Sequence, residues 1–501
     1  MIDIITRKLF IEWNENGIRY CSFKSNEHLY DGMNGKTDID ILIDAENYNL
    51  AVEIMKKNRF IEAEPVNVGM YPYVVNWFGM DYSSGVLVHI HLHLEIVTGK
   101  SLVKDYILPW KEYFLNNTVI DPDLKVKYVI PTLEYILLCT RIVVKKNIKP
   151  AHFHINKEIE KEINYLYDKI DDEDMLHWIN IIFPVASIEK DLLSTKSILD
   201  FSDRDFSQFY KFIKKTQKKH QRIPEGIALL QSYLNRATRM ISRILNYRFN
   251  TGLPLKKRFL RGGVSVAFVG IDGSGKSTMV KEIANWLGNE FDIKQFYAGA
   301  GDGKKDFLSS LLLKIYGKFG QKMNEQAVIY DTDSNFVKLS RSEELPLKIR
   351  IKNFGGAIAY IRILRSNIKK LRKSNELTSR GMICLMDRYP QNSVPFIHDG
   401  AKVQKYDAGK GIIHLIANKE KSMLEAIQYS SYDLVIKLLV GEKTAYSRKP
   451  LESVDSLRFK AKTLEEIVYD SKEIYSVDAD RPFEEVLIDV KRKIWEKCYL
   501  K

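Results

Sequence analysis

Residues Gly270 to Thr278 read GIDGSGKST, directly after the apolar run Val264 to Val269 and ahead of a helix-compatible segment. The spacing G-x-x-x-x-G-K-S is that of a phosphate cradle. Gly270, Gly273, Ser274 and Gly275 are small enough to wrap backbone N–H groups around a polyphosphate, Lys276 reaches its outer oxygens, and Ser277 offers a hydroxyl to Mg²⁺. Thr278 follows in the first turn of a helix expected over Lys276 to Leu287, whose positive end would face the same anion. A merely structural glycine turn explains neither Lys276 nor Ser277. Over a hundred residues later, Gly381 to Pro390 reads GMICLMDRYP, a short apolar strand ending in a charged pair. In an open parallel sheet ligands sit beyond the carboxyl ends of the strands, so Asp387 can approach Mg²⁺ and Arg388 phosphate oxygens. Alone, the pair reads equally well as a strand cap; beside a phosphate loop the ligand reading is favoured.

The first 120 residues carry other chemistry. Asp31 to Thr37 leads into Asp38-Ile-Asp40-Ile-Leu-Ile-Asp44. Residues two apart on a strand share a face, so Asp38 and Asp40 present two carboxylates to a divalent ion while Ile39 and Ile41 enter the core. A later strand, Val86 to Glu95, alternates His89, His91, His93 and Glu95 with Val88, Ile90, Leu92 and Leu94, the pattern of a half-buried strand. Its imidazoles are compatible with a transition metal, although strand neighbours splay and convergent ligands must come from elsewhere. The other reading is a polar cleft face of hydrogen-bonded histidines.

The motifs GIDGSGKST and DRY, with the late segment Val435 to Ile467, resemble the thymidylate kinase family of nucleoside-monophosphate kinases over about Val264 to Lys501. The resemblance implies a P-loop domain with a parallel sheet flanked by helices, using ATP and Mg²⁺. Lys276 and Ser277 would hold ATP phosphates and metal, and Asp272 would touch the acceptor's sugar hydroxyl. Asp387 would serve the metal, Arg388 the transferring or acceptor phosphate, and Arg448 and Lys449 a closing lid. Arg458, Lys460 and Lys462 belong to the lid or to a solvated helix face. The chain departs from the family where an Arg-Glu-Pro-Gly run is usual: Phe296 to Gly303 holds no arginine, and Asn392 with Ser393 replaces the usual serine after DRY. The acceptor is therefore a thymidine-type nucleotide or another small phosphorylated molecule, unless Gly301-Asp302-Gly303 binds a hydroxyl-bearing substrate, with Asp272 or Asp302 as base. The segment around Asp38 and Asp40 resembles the nucleotidyltransferase fold, with histidines where a third carboxylate is usual and only Lys24-Ser25 left of its glycine-serine turn. An alternative function follows: an ATP-binding module that regulates nucleotidyl transfer by the first domain.

These motifs require an α/β multidomain chain. At ~150 residues per domain, 501 residues suggest about three: a nucleotidyltransferase-like α/β domain over 1–125, a helical connector over 126–260, and the kinase-like domain over 261–501. In the connector, helices are expected over Leu133 to Val144, Glu158 to Ile170, Met175 to Ile188 and Arg236 to Phe249, with Pro131, Pro150 and Pro184 as breakers. Thr251 to Lys257 is the best linker. The apolar content of 45% is ample for separate cores. No apolar run reaches the ~18 residues of a membrane helix, and the start lacks a signal-peptide core. Cys21, Cys139, Cys384 and Cys498 have no paired ligand spacing, so a cytoplasmic location is expected. The net charge of +13 favours anionic partners, which small phosphorylated molecules satisfy. Arg236, Arg239 and Arg243 recur at helical spacing, the pattern of a solvated helix face; nucleic acid is compatible with it but not indicated. Composition leaves an oligomer open.

Overall fold

The computed structural model describes residues 5–66, 70–145, 155–184, 192–249, 251–299, 329–330, 337–338, 347–395, 397–406, 409, 411–427, 431–450 and 452–501. The chain forms two compact units, Met1–Lys257 and Arg258–Lys501, and both are α/β.

The first unit contains β1 (Tyr20–Ser22), β2 (Ile39–Ile43), β3 (Ile61–Glu64), β4 (Val74–Met80), β5 (Leu87–His93), a separate hairpin β6 (Ile96–Thr98) and β7 (Tyr106–Leu108), then β8 (Thr118–Ile120) and β9 (Lys127–Val129). Its main sheet runs β3-β4-β5-β2-β1-β9-β8. β2 and β5 are parallel neighbours with Asp40 opposite His91, so the acidic and histidine strands lie side by side. The alternation read from sequence explains the faces. Ile39, Ile41, Ile43, Val88, Ile90 and Leu92 enter one buried cluster with Leu9, Phe10 and Trp13 of the helix Ile5–Glu15, leaving the aspartates and histidines on the other side. On that side Cys21, Phe23 and Leu42 share a core with the helices Pro131–Lys145, Lys157–Tyr167, Asp172–Ile182 and Asp203–Gln217.

The first three of these match expected helices with shifted ends, whereas Asp203–Gln217 is a helix that the apolar periodicity did not mark. Pro131 opens its helix, where a missing N–H costs nothing. Asn156 and Asp171 cap the next two by accepting from Ile159 and Glu173 backbone N–H groups. Pro184 follows the third closely; Pro150 and the expected helical residues after it, 185–188, lie outside the described residues. The last helix is longer than expected, Glu225–Phe249. Residues 251–257, which form neither helix nor strand, end at the boundary between the units.

The second unit opens with the two-residue β10 (Arg258–Phe259), followed by β11 (Ser265–Gly270), β12 (Ile293–Tyr297), a small ladder β13 (Ile329–Tyr330) and β14 (Val337–Lys338), then β15 (Ile383–Asp387), β16 (Leu434–Leu439) and β17 (Ile474–Asp478). The order β12-β15-β11-β16-β17 is parallel throughout. β11 and β15 are buried almost along their whole length, because helices cover both faces of such a sheet. The connection from β11 runs towards β12 and that from β15 crosses back to β16, so a crevice opens at the adjacent carboxyl ends of β11 and β15. The four cysteines are buried and free. Among the described residues no helix is long and apolar enough to cross a membrane.

Candidate active site

β11 ends at Gly270 and the helix Lys276–Gly288 begins six residues later. The turn between them needs glycine for reasons visible in the backbone. Gly273 and Gly275 have φ of 85° and 87°, where a Cβ is strained. A Cβ on Gly273 would also stand 2.5 Å from the Ala445 carbonyl oxygen, so the helix Glu442–Arg448 lies directly on the loop. At Gly270 a Cβ would meet Ser274 Oγ at 2.3 Å.

Lys276 is folded into the loop and donates to the carbonyls of Gly270 (2.9 Å) and Ile271 (2.7 Å). Burial, then the nearby charge of Arg388, pushes its amine down to about 8, against the opposing pull of Asp272, Asp387 and Asp399. On the next residue, Ser277 Oγ donates to Asp387 Oδ2 at 2.5 Å. Asp387 Oδ1 is buried with no hydrogen-bond partner. A hydroxyl beside a carboxylate oxygen that lacks a partner is a donor set suited to a hard cation, so these residues fit Mg²⁺. Thr278 lies exposed in the same first turn.

Arg388 has φ of 73°. This left-handed turn, costly for a side chain of its size, sends Asp387 and Arg388 to different partners. Asp387 meets Ser277, whereas Arg388 Nη2 donates to Asp272 Oδ1 at 3.1 Å and Nη1 stands 3.7 Å from Asp399 Oδ2. Burial alone would raise the Asp272 carboxyl, but the summed positive field of Arg388, Lys276, Lys449 and Lys460 outweighs it and holds the group below the usual range. Asp272 is thus ionised at neutral pH.

Lys276, Ser277, Asp272, Asp387 and Arg388 are therefore brought together. Arg448 is not: its Nη2 donates to the Ala479 carbonyl at 3.3 Å, and Lys449 takes the place facing Asp272, at 3.8 Å. The other basic residues of this segment pair locally, Arg458 with Glu442 and Asp455, and Lys460 with Glu452. Asp399 is the group that sequence reasoning missed; its only signal is the turn His398-Asp399-Gly400. Asp302 and Gly303 lie outside the described residues. Beside the loop, a cavity of about 480 Å³ is lined by Ile271, Val440, Glu442, Arg458 and Asp480 among others.

In the first unit, Asp38 Oδ1 stands 2.6 Å from His89 Nδ1 and Asp40 Oδ1 stands 3.0 Å from His93 Nε2. Lys24 Nζ is also 3.0 Å from Asp40 Oδ1. His91 Nδ1 lies between the two carboxylates, 3.7 Å from Asp38 Oδ2 and 3.3 Å from Asp40 Oδ1. Burial pushes His89 down to about 4 and His93 to about 3, so both rings are neutral at pH 7.

A glycine loop between a buried parallel strand and a helix, with an acidic strand end alongside, defines the P-loop class of α/β domains. No family model matches the chain. It is 28% identical to the uncharacterized ATP-binding protein YghS of Escherichia coli (strain K12), over 44% of this chain and 88% of that protein. With the uncharacterized ATP-binding protein YghR of the same strain it shares 23% identity over 46% of this chain and 86% of the relative. Among solved structures, deoxyadenosine kinase from M. mycoides with bound dATP aligns with 46% of this chain and 97% of its own, at 18% identity and a TM-score of 0.26.

Proposed function

We propose that the second unit transfers the terminal phosphoryl group of ATP to a nucleotide-like acceptor, in the manner of thymidylate kinases. The observation that carries the reading is the division of labour at one strand end. Neighbouring residues reach two sides of the phosphate loop, Asp387 to the hydroxyl of Ser277 and Arg388 to the carboxylate of Asp272. Both E. coli relatives bear the name of ATP-binding proteins, which supports the choice of triphosphate.

In this reading the loop N–H groups and Lys276 bind the β- and γ-phosphates, with Lys276 exchanging its two loop carbonyls for phosphate oxygens. A Mg²⁺ held by Ser277 and Asp387 would supply charge neutralisation on those oxygens. Arg388, held between two carboxylates, is presented to the transferring or acceptor phosphate, where positive charge favours the transition state. Asp272 accepts a hydrogen bond from the acceptor's hydroxyl. The cavity beside Ile271 has a size suited to part of a nucleotide. Lys449 and Arg448 belong to the segment that would close over the phosphates and exclude water.

The test is acceptor-dependent ADP formation with Mg²⁺ and a panel of nucleoside monophosphates, nucleosides and sugar phosphates. Turnover confined to nucleoside monophosphates is the expected result. ATP retained with no acceptor-dependent turnover would instead favour the regulatory module, in which bound nucleotide controls the first unit.

The lysine also predicts a pH dependence. Phosphate binding favours protonated Lys276, whose amine in the nucleotide-free protein sits at about 8 rather than the ordinary 10.5. ATP affinity should be flat below pH 8 and fall as pH rises above it, by up to about tenfold per unit. The stability of the nucleotide-free protein should move the other way. A lysine depressed by folding penalises the native state below pH 8, and that penalty is relieved between about 8 and 10.5 as the unfolded chain holds the extra proton. Titration calorimetry across this range checks the first trend and thermal unfolding the second; affinity unchanged up to pH 10 would refute the assignment of Lys276 to phosphate.

A further inference from the structure

The phosphate chemistry of the second unit leaves unused the helix Glu225–Phe249 of the first, a 25-residue element whose large apolar side chains mostly face outward. We propose that this helix packs antiparallel against the same helix of a second copy of the chain, so that the protein is a homodimer joined by a short two-stranded coiled coil.

Spacing is the first argument. Ile227, Leu230, Leu234, Ala237, Ile241 and Ile244 recur at intervals of three, four, three, four and three residues. This alternation keeps one apolar seam facing a partner helix along its length. The five large members of the seam each expose 50–59% of their surface, and Ala237 is exposed as well. The helix is held to its own unit from the other side: Ala228 is buried there, Ser232 Oγ donates to the Ser101 carbonyl at 2.9 Å, and Asn235 Nδ2 donates to that of Leu102 at 2.9 Å. A seam turned away from the residues that anchor its helix serves no packing within that unit.

Area and charge point to the occupant. With Tyr233, Met240 and Tyr247 alongside, each more than half exposed, the seam presents an apolar face on the order of 800 Å², more than a monomer usually leaves bare and the share each partner gives to a standard-size interface. The positions that flank such a seam and choose its partner by charge are here Gln231, Tyr233, Thr238, Met240, Leu245 and Tyr247, none of them charged. Two copies therefore meet without like-charge repulsion, and no charge pattern calls for a different partner. Arg236, Arg239 and Arg243 lie off the seam. A lipid surface would be indifferent to the alternation of three and four, which only another helix reads.

Side-chain size sets the direction. Parallel packing would put Ala237 against Ala237, leaving a gap, and would bring Arg248, at the next seam position, against its own copy. Antiparallel packing centred between Asn235 and Arg236 pairs Ile227 of one copy with Ile244 of the other, Leu230 with Ile241 and Leu234 with Ala237, each pair occurring twice as two-fold symmetry demands. Every layer then holds at least one large side chain, and both Arg248 side chains fall beyond the last layer.

The test is sedimentation velocity on the full chain over about 1–100 μM, since an interface of this size supports micromolar or tighter association. A monomer–dimer equilibrium is expected, with dimer predominant at the upper end. Leu230→Glu, which puts a carboxylate opposite Ile241 in both halves of the seam, should weaken association by about 100-fold or more. Leu230→Glu combined with Ile241→Lys sets opposite charges face to face in the antiparallel register alone, and should recover about tenfold or more of that loss. Leu176→Glu, at a comparably exposed leucine of the helix Asp172–Ile182, should change nothing. Circular dichroism checks that each variant is folded; if Leu230→Glu misfolds, Leu230→Ser with Ile241→Ser takes its place. A monomer at about 100 μM overturns the proposal, whether the face is covered by the chain's own second unit or, as co-sedimentation with phosphatidylserine vesicles would show, by lipid. Parental association in folded Leu230→Glu overturns it equally, and so does a double variant that associates no more tightly than the single one.

Discussion

Lys276→Ala is expected to lower phosphoryl transfer by about three orders of magnitude while leaving the protein folded. The effect is large because this ammonium is the one cation inside the phosphate loop, where burial makes each charge count for more than in water. The fold should tolerate its loss. A charged amine held by the Gly270 and Ile271 carbonyls and, at 3.4 Å, the Ser274 hydroxyl, with its pKa driven down to about 8, is a burden on the native state. Its removal frees two carbonyls beside an open crevice that water can satisfy. Turnover, ATP affinity and thermal unfolding should be measured on the same preparation. Unfolding near the parental temperature with transfer lost is the expected pair of results. Parental turnover would end the assignment of this loop to catalysis.

What the sequence made legible is chemistry that is local in the chain. Gly270 to Ser277 could be read because phosphate binding by a strand, loop and helix is encoded in eight consecutive positions, and Asp387-Arg388 because a strand's last residues are placed by its length. The histidine strand could be read by face, since a period of two depends on nothing beyond the strand. Pairing across the sheet could not. That Asp40 lies opposite His91 is a matter of strand order, which β4 and β5 settle through a hairpin and β2 through a parallel neighbour. Asp399 stayed invisible because its role arises from a left-handed turn at Arg388 that no residue type announces. Family likeness places Arg448 and Lys449 together in a lid without dividing their roles, and the short helix ends so that Arg448 turns to the Ala479 carbonyl while Lys449 faces Asp272. The helix Glu225–Phe249 was anticipated only from Arg236, and burial does not separate its halves: Ile227, Leu230 and Tyr233 are exposed in the first, Met240, Ile241 and Tyr247 in the second, and the buried Ala228 and Ser232 are too small and polar to mark an apolar stripe.

Asp387→Asn should cost about 100-fold to 1,000-fold in transfer, and the loss should appear as a changed response to Mg²⁺. The reason lies in the charges around the loop. Lys276, Arg388 and Lys449 face Asp272, Asp387 and Asp399, three cations against three carboxylates, so these groups offer a polyphosphate little net attraction. The missing positive charge must arrive with the nucleotide, and Asp387 is placed to receive it: one oxygen takes the Ser277 hydroxyl and the other is buried and unpaired. Asparagine keeps the shape and can still accept from Ser277, but it removes the full charge. The Mg²⁺ concentration for half-maximal activity should therefore rise steeply, while binding of ATP without metal should hold or tighten, since a carboxylate that repels phosphate is gone. Ser277→Ala, which removes a neutral ligand, should show the same pattern in milder form. An unchanged Mg²⁺ requirement in Asp387→Asn would mean that the carboxylate only fastens the loop to the strand, and the metal would have to be sought elsewhere in the crevice.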